Sequence, residues 1–153
     1  MVLQYLIGGL KNIVMIRIIS ILFSLFLLSG FETVAQCTEF ATNNCATKLK
    51  GYKHDGKVNS TTIEAGNETE LLQRVKAGKN YRIVIGNKEN LQNIAIDILD
   101  IKRNSRQSKV SSDQVVTLDY VSEKTEMLRI KVHIPESSNT GKSGCIVVLI
   151  GEK

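Results

Sequence analysis

The chain has 153 residues, 42% hydrophobic and 23% charged, a balance that suits one ordinary globular core and excludes a disordered chain. One Pro and 11 Gly exclude collagen-like and proline-rich architectures. A net charge of +5 is too modest an excess to imply nucleic acid by itself.

Residues 1–35 differ from everything after them. Met15-Ile16-Arg17 gives a short basic start, Ile18 to Leu28 a continuous apolar run, Ser29-Gly30 a break, and Val34-Ala35 a small-residue exit. That order reads as a secretory signal peptide cleaved after Ala35, leaving residues 36–153 as one domain. Met15 reads as a better start than Met1, because residues 2–10 precede any positive charge. Two alternatives stand beside this reading. Residues 3–28 serve as an uncleaved anchor, although Lys11 and Arg17 interrupt them, and this segment is then the protein's only membrane contact. Or Cys37 is a lipoprotein cysteine, although Gln36 is a large residue to precede one. In each case the protein is exported: periplasmic, outer-surface or secreted.

Export places Cys37, Cys45 and Cys145 in an oxidising compartment. Three cysteines allow one bridge and leave one thiol. Cys37 or Cys45 pairing with Cys145 ties the first element of the domain to its last strand. A buried reduced cysteine is the alternative for each.

The first element is a short helix, because Cys37, Ala41, Cys45 and Leu49 recur every fourth residue. "GYKHDGK" then breaks the pattern at Asp55-Gly56. Strand patterns follow at 81–85 ("YRIVI"), 94–99 ("IAIDIL"), 115–120 ("VVTLDY") and 128–134 ("LRIKVHI"). In the last of these, Leu128, Ile130, Val132 and Ile134 face one way, and Arg129, Lys131 and His133 the other, as in a half-buried strand. "CIVVLI" (145–150) is apolar throughout and predicts a central strand buried on both faces. "ETELLQRVKAG" (68–78) fits a helix face or a strand face, and by composition leans to helix. The turn residues between these runs leave short strands and no long helix, which favours a sandwich or barrel.

Candidate chemistry is sparse. Gly141-Lys142-Ser143 matches the end of a phosphate-binding P-loop, but Glu136 stands where the first glycine belongs and no helix follows Ser143. Neither nucleotide nor nucleic acid is an expected partner. His54, Asp55 and His133 are metal-ligand types, and Asp97 and Asp100 are carboxylates of the kind exported sandwiches use for Ca²⁺. Each set is thin, so no metal or other cofactor is expected, and Asp97, Asp100, His54 and Asp55 stand as weak candidates only. No Ser-His-Asp or paired-acid constellation marks a catalytic site. "DIKRNSRQSK" (100–109) reads as an exposed hairpin loop whose Lys102, Arg103, Arg106 and Lys109 suit acidic polysaccharide or lipid head groups. Asn59-Ser60-Thr61 and Asn67-Glu68-Thr69 match the N-glycosylation pattern, which matters only in a eukaryotic secretory pathway.

The run "HDGKVNSTTIEAGNETELL" (54–72), then "AGKNYRIVI" (77–85), a strand ending in Asp100 and "GCIVVLIGEK" (144–153) resembles a group of small exported bacterial proteins. The resemblance spans residues 37–153. It implies a secreted β-sandwich similar to pre-peptidase C-terminal and jelly-roll modules, and it implies a strand over 70–76. It also implies that Cys37 and Cys145 match the group's cysteines, while Cys45 takes a usually apolar position. Gly86 stands where the group often has a cysteine, which leaves Cys45 open as the partner of Cys145.

The expectation is therefore an all-β antiparallel β-sandwich of jelly-roll or Greek-key type, with about eight strands and one short N-terminal helix after the signal peptide. Its expected role is non-catalytic: a structural or binding module of the cell envelope or extracellular space, with a partner there that the sequence does not specify. A metal- or Ca²⁺-stabilised module for saccharide or lipid head groups, and a hydrolase without a recognisable motif, are the alternatives.

Overall fold

The computed structural model of the protein describes residues 32–153. The chain divides into two compact units, Met1–Ala35 and Gln36–Lys153. The anchor and start-site readings, and the signal-peptide reading of residues 1–35 up to residue 31, lie outside the described residues. A helix α1 (Glu32–Phe40) runs into a π turn (Ala41–Cys45) and a 3₁₀ turn (Ala46–Leu49). Nine strands follow: β1 (Lys53–His54), β2 (Asn59–Glu64), β3 (Glu68–Val75), β4 (Lys79–Asn87), β5 (Ile94–Asp100), β6 (Ser105–Ser111), β7 (Val115–Ser122), β8 (Glu126–His133) and β9 (Ser143–Glu152), with a one-turn helix α2 (Glu136–Asn139) before β9.

All described strand pairs are antiparallel. One sheet is ordered β2-β9-β4-β7, with β1 continuing the position of β2 beside β9, and the other is ordered β3-β8-β5-β6. The pairs β2:β9, β3:β8, β4:β7 and β5:β6 are those of one long hairpin rolled into two sheets, which is the jelly-roll arrangement. Counting β1 and β2 as one broken edge strand gives the expected eight.

Alternation builds the core between the sheets. Ile94, Ile96 and Ile98 of β5 and Leu128, Ile130 and Val132 of β8 are buried, while Ala95, Asp97, Arg129 and Lys131 between them face outward. From the opposite sheet, Tyr81, Ile83, Ile85, Val116, Leu118, Ile146 and Val148 meet them in one cluster. The helical reading of 68–78 is overturned, and the strand implied by the resemblance forms. In strand geometry Val75 enters the core, and the outward Glu68 and Glu70 pair with Lys131 and Arg129 of β8. Those gains outweigh a weak helix propensity. The polar segments β2 and β6 are strands that the pattern did not announce. Residues 105–109, read as loop, belong to β6.

A second cluster lies on the outer face of β4 and β9. Phe40, Ala41, Cys45 and Leu49 pack on Val84, Val147 and Leu149, which buries β9 on both faces as its apolar run requires. A strict four-residue repeat drifts around a helix of about 3.6 residues per turn. The wider π turn at Ala41–Cys45 takes up that drift, and Ala41 and Cys45 are both fully buried. Two glycines admit the helical segment. A Cβ on Gly86 would lie 2.4 Å from Cys45 Sγ and 2.7 Å from Phe40 Cε1, and one on Gly151 would lie 2.6 Å from Tyr52 Cβ. Gly86 thus lies directly beneath the Cys45 thiol. Arg82 closes the far end of this layer: it binds Asp119 through two hydrogen bonds of 2.7 and 2.8 Å and stacks over the Tyr52 ring at 4.5 Å.

The disulfide joins Cys37 to Cys145 across 108 residues, with Cα atoms 6.0 Å apart. This resolves the pairing the sequence left open and overturns the lipoprotein reading, since a disulfide sulfur carries no lipid thioether. Cys45 is free, and burial pushes its thiol up to about 11. Ellman's reagent should therefore find no reactive thiol in the native oxidised protein and one in denaturant without reductant. Two further free thiols should appear only after reduction, which lowers stability by up to ~4–5 kcal/mol. Gly86→Ala should cost about 1–3 kcal/mol in urea unfolding. Combining it with Cys45→Ala should cost less than the sum of the two single changes.

One end of the sandwich is closed by polar groups. The buried Asp100 carboxylate accepts the backbone and side-chain N–H groups of Asn104, both at 2.9 Å, and Arg106 at 3.1 Å. Arg106 also reaches Glu126 at 3.5 Å, which pairs with Lys124 and accepts from the Tyr120 hydroxyl. The Asn104 hydrogen bonds hold the Asp100 carboxyl below its ordinary value. A folded value below the unfolded one stabilises the fold above about pH 3.9 and loses that contribution as pH falls through and below it. Asp119 and Glu68 are shifted the same way, by Arg82 and Lys131. Urea midpoints should drop as pH falls below about 4, and Asp100→Asn should flatten part of that drop.

Candidate ligand groove

The structure disperses most of the residues the sequence singled out and brings two pairs of them together, His54 Nδ1 with Asp55 Oδ1 at 3.7 Å and Arg106 with Asp100 at 3.1 Å. Asp97 and Asp100 are three apart on β5, so they face opposite sides: Asp97 accepts from the Ser108 hydroxyl at 2.6 Å on the outer face, and Asp100 serves the end clasp. His54 donates from Nδ1 to the Ile150 carbonyl at 2.9 Å, where β1 has ended and β2 not yet begun. It fills the gap in the ladder. Asp55 accepts the Lys57 backbone N–H at 2.9 Å in the turn around Gly56. His133 lies on the other sheet, opposite Glu68 and Ala95. Among the described residues no three His, Cys, Asp or Glu side chains gather as a metal site. The basic stretch also divides. Lys102 and Arg103 sit in the β5–β6 turn and Lys109 on β6, while Arg106 turns to Asp100 and Glu126. Gly141-Lys142-Ser143 links α2 to β9 as a turn with Gly141 at φ 67°. The loop around it is held by Asn139, whose buried amide bonds both the N–H and the C=O of Gln92 at 2.8 Å.

A different region stands open. β2 and β3 lie on opposite sheets and are joined by the tight turn Ala65-Gly66-Asn67, in which Gly66 takes φ 87°. Where the core reaches these two strands, several inward positions are polar: Asn59 and Thr61 on β2, Thr69 and Gln73 on β3, while Ile63, Leu71 and Val75 are the apolar ones. The seam is left unsealed as a groove of three adjoining depressions.

The first depression, about 310 Å³, is a mouth bordered by Lys53, Lys57, Lys76, Asp55, Tyr81 and Glu152. The second, about 110 Å³, has an apolar floor of Leu71, Ile130, Val132, Ile146 and Val148, and it shares Asn59 and Leu71 with the first. The third, about 420 Å³, is bordered by Thr62, Glu64, Asn67, Glu68 and Ser143, and it shares Thr61 and Thr69 with the second. In the mouth, Tyr81 is 2% exposed. Its oxygen accepts the Lys76 N–H at 2.8 Å and its hydroxyl donates to Glu152 at 3.3 Å. Burial raises its pKa. Glu152 also meets Lys79 at 3.5 Å. Lys53, Lys57 and Lys76 form no ion pair with a described residue, so the mouth holds unmatched positive charge. Sequence reasoning noticed "NSTT" only as a glycosylation pattern. The available signal was an uncharged, β-branched run beside the Asp55-Gly56 break.

No protein-family model matches the chain, and no curated protein does. Among solved structures it is similar to PliG, a periplasmic lysozyme inhibitor of g-type lysozyme from Aeromonas hydrophila, at 12% identity and a TM-score of 0.52, over 68% of this chain and 90% of that one. It is also similar to the pre-peptidase C-terminal domain of collagenase from Bacillus anthracis, at 10% identity and a TM-score of 0.50, over 61% and 87%. At these identities the likeness is one of fold, and it bears out the resemblance to pre-peptidase C-terminal and jelly-roll β-sandwich modules.

Proposed function

We propose that the protein is an exported, non-catalytic binding module that holds an elongated ligand along the β2–β3 groove. The observation that carries this reading is the groove itself. It runs beside the whole of β2 and combines an apolar floor with hydroxyl and amide walls and a lysine mouth. The fold suits the role: a rigid sandwich presents a fixed surface without having to assemble catalytic groups. The Cys37–Cys145 bridge suits an oxidising compartment, and PliG, which shares the fold, is periplasmic. The metal-stabilised alternative loses support because Asp97 and Asp100 face opposite sides of β5 and are engaged by Ser108 and Asn104, while His54 and Asp55 approach each other without a third ligand beside them among the described residues.

The test is a thermal-shift panel of soluble polysaccharides, peptidoglycan fragments and short peptides. A ligand at a hundred times its Kd adds about 2.7 kcal/mol, a shift of several degrees. At least one class should raise Tm and lose that effect in Thr61→Trp, which fills the groove. Mass spectrometry should recover that ligand intact. A panel without any shift contradicts the reading, and a cleaved ligand turns it toward a hydrolase. Chelator should leave Tm unchanged.

A further inference from the structure

One wall of the groove is an unclosed sheet edge. β2 is hydrogen-bonded to β9 and to no other strand among the described residues. Alternate backbone N–H and C=O groups of Asn59–Glu64 therefore point away from β9. Natural edges are commonly blunted by charge, proline or a bulge. β6 has Arg106, Lys109 and an irregular register opposite Ile98 and Leu99; β3 has Glu68, Glu70 and Arg74; β7 has Asp119. From Asn59 to Ile63, β2 has none of these devices.

The same edge borders the groove. A strand added beside β2 continues its sheet, and the pleat sends every second side chain inward, over Leu71, Ile130, Val132, Ile146 and Val148. The depression of about 110 Å³ there suits small aliphatic groups. Charge sets the direction. A strand antiparallel to β2 travels from Glu64 toward Asn59, and the lysine mouth lies at that far end. Its amino end starts beside Glu64 and Glu68, and its carboxyl end arrives among Lys53, Lys57 and Lys76.

We infer that the groove takes the carboxy-terminal end of a partner polypeptide as an added antiparallel strand of about six residues, ~20 Å long. Alternate small aliphatic side chains face inward, and the terminal carboxylate meets Lys53, Lys57 and Lys76. This rests on the binding-module reading and names what that module binds. A polysaccharide fits less well. The one aromatic ring lining the groove, Tyr81, is buried and leaves no exposed face for a sugar to stack on.

The probe is an N-acetylated hexapeptide alternating Thr and Val, as free acid and as C-terminal amide, titrated into the oxidised protein. Affinity comes from fluorescence anisotropy and the site from amide hydrogen exchange. The free acid should slow exchange at residues 59–64 at least tenfold and bind at least tenfold more tightly than the amide. That gap should close in the Lys57→Gln/Lys76→Gln variant, a surface change whose unaltered Tm is checked first. Equal affinity of acid and amide, or peptide binding without slowed exchange at 59–64, overturns the inference. So does a polysaccharide that perturbs the groove when the peptide does not, and in that case the binding-module reading survives. Silence of the groove to both probes removes both.

Discussion

The sandwich closes on β9. This last strand pairs with β1 and β2 on one side and with β4 on the other. Its inward side chains, Ile146 and Val148, belong to the inter-sheet core, and its outward ones, Cys145, Val147 and Leu149, to the layer under the helical segment. Its neighbour β4 is enclosed in the same way, between β7 and β9 and between the core and the helical layer, so the two strands form the buried centre of this sheet. Nearly all of the contacts of β9 are remote in sequence, so the fold becomes complete only when the two ends of the domain meet, and the Cys37–Cys145 bridge fixes that meeting covalently. The demand also explains the glycines. Gly86 and Gly151 lie where the helical segment approaches the sheet, and each would clash there with a side chain.

The groove follows from the same closure. β9 takes one edge of β2 and leaves the other outward, beside a β3 that belongs to the opposite sheet. The core thins toward this seam because four of the seven inward positions of the two edge strands are Asn, Thr or Gln. The opposite treatment is visible at the Asp100 clasp, where polar groups are joined to one another and that end of the sandwich is shut. One polar boundary is satisfied internally; the other keeps unmatched lysines and a free backbone ladder.

How much of this was legible depended on where the apolar residues lay. β8 announced itself through Leu128, Ile130, Val132 and Ile134 against Arg129, Lys131 and His133, and β9 through its unbroken apolar run. The helical face Cys37, Ala41, Cys45 and Leu49 was also readable, although the π turn that keeps it in phase was not. β2 and β6 escaped because an edge strand needs one partner and little burial, so "NSTTIE" and "SRQSKVS" have no hydrophobic period to read. β3 was ambiguous for a related reason: Leu71 and Leu72 lie on opposite sides of the strand, and Leu72 remains 52% exposed. The groove was invisible because it is made of what the core lacks. Its walls come from strands distant in sequence, and only the topology sets them side by side. The cysteine pairing needed the same information, since spacing allowed Cys37 and Cys45 equally.

The account stands on a contrast between two strands, β9 closed on every side and β2 open along its outer edge. Native-state amide hydrogen exchange of the unliganded, oxidised protein measures that contrast directly. The account predicts that β9 and β4 amides exchange slowest of all. About half of those in Asn59–Glu64, the ones pointing away from β9, should exchange far faster than their neighbours. If every β2 amide were as protected as those of β9, the edge would already be covered in the free protein, and the groove would not be a site awaiting a ligand.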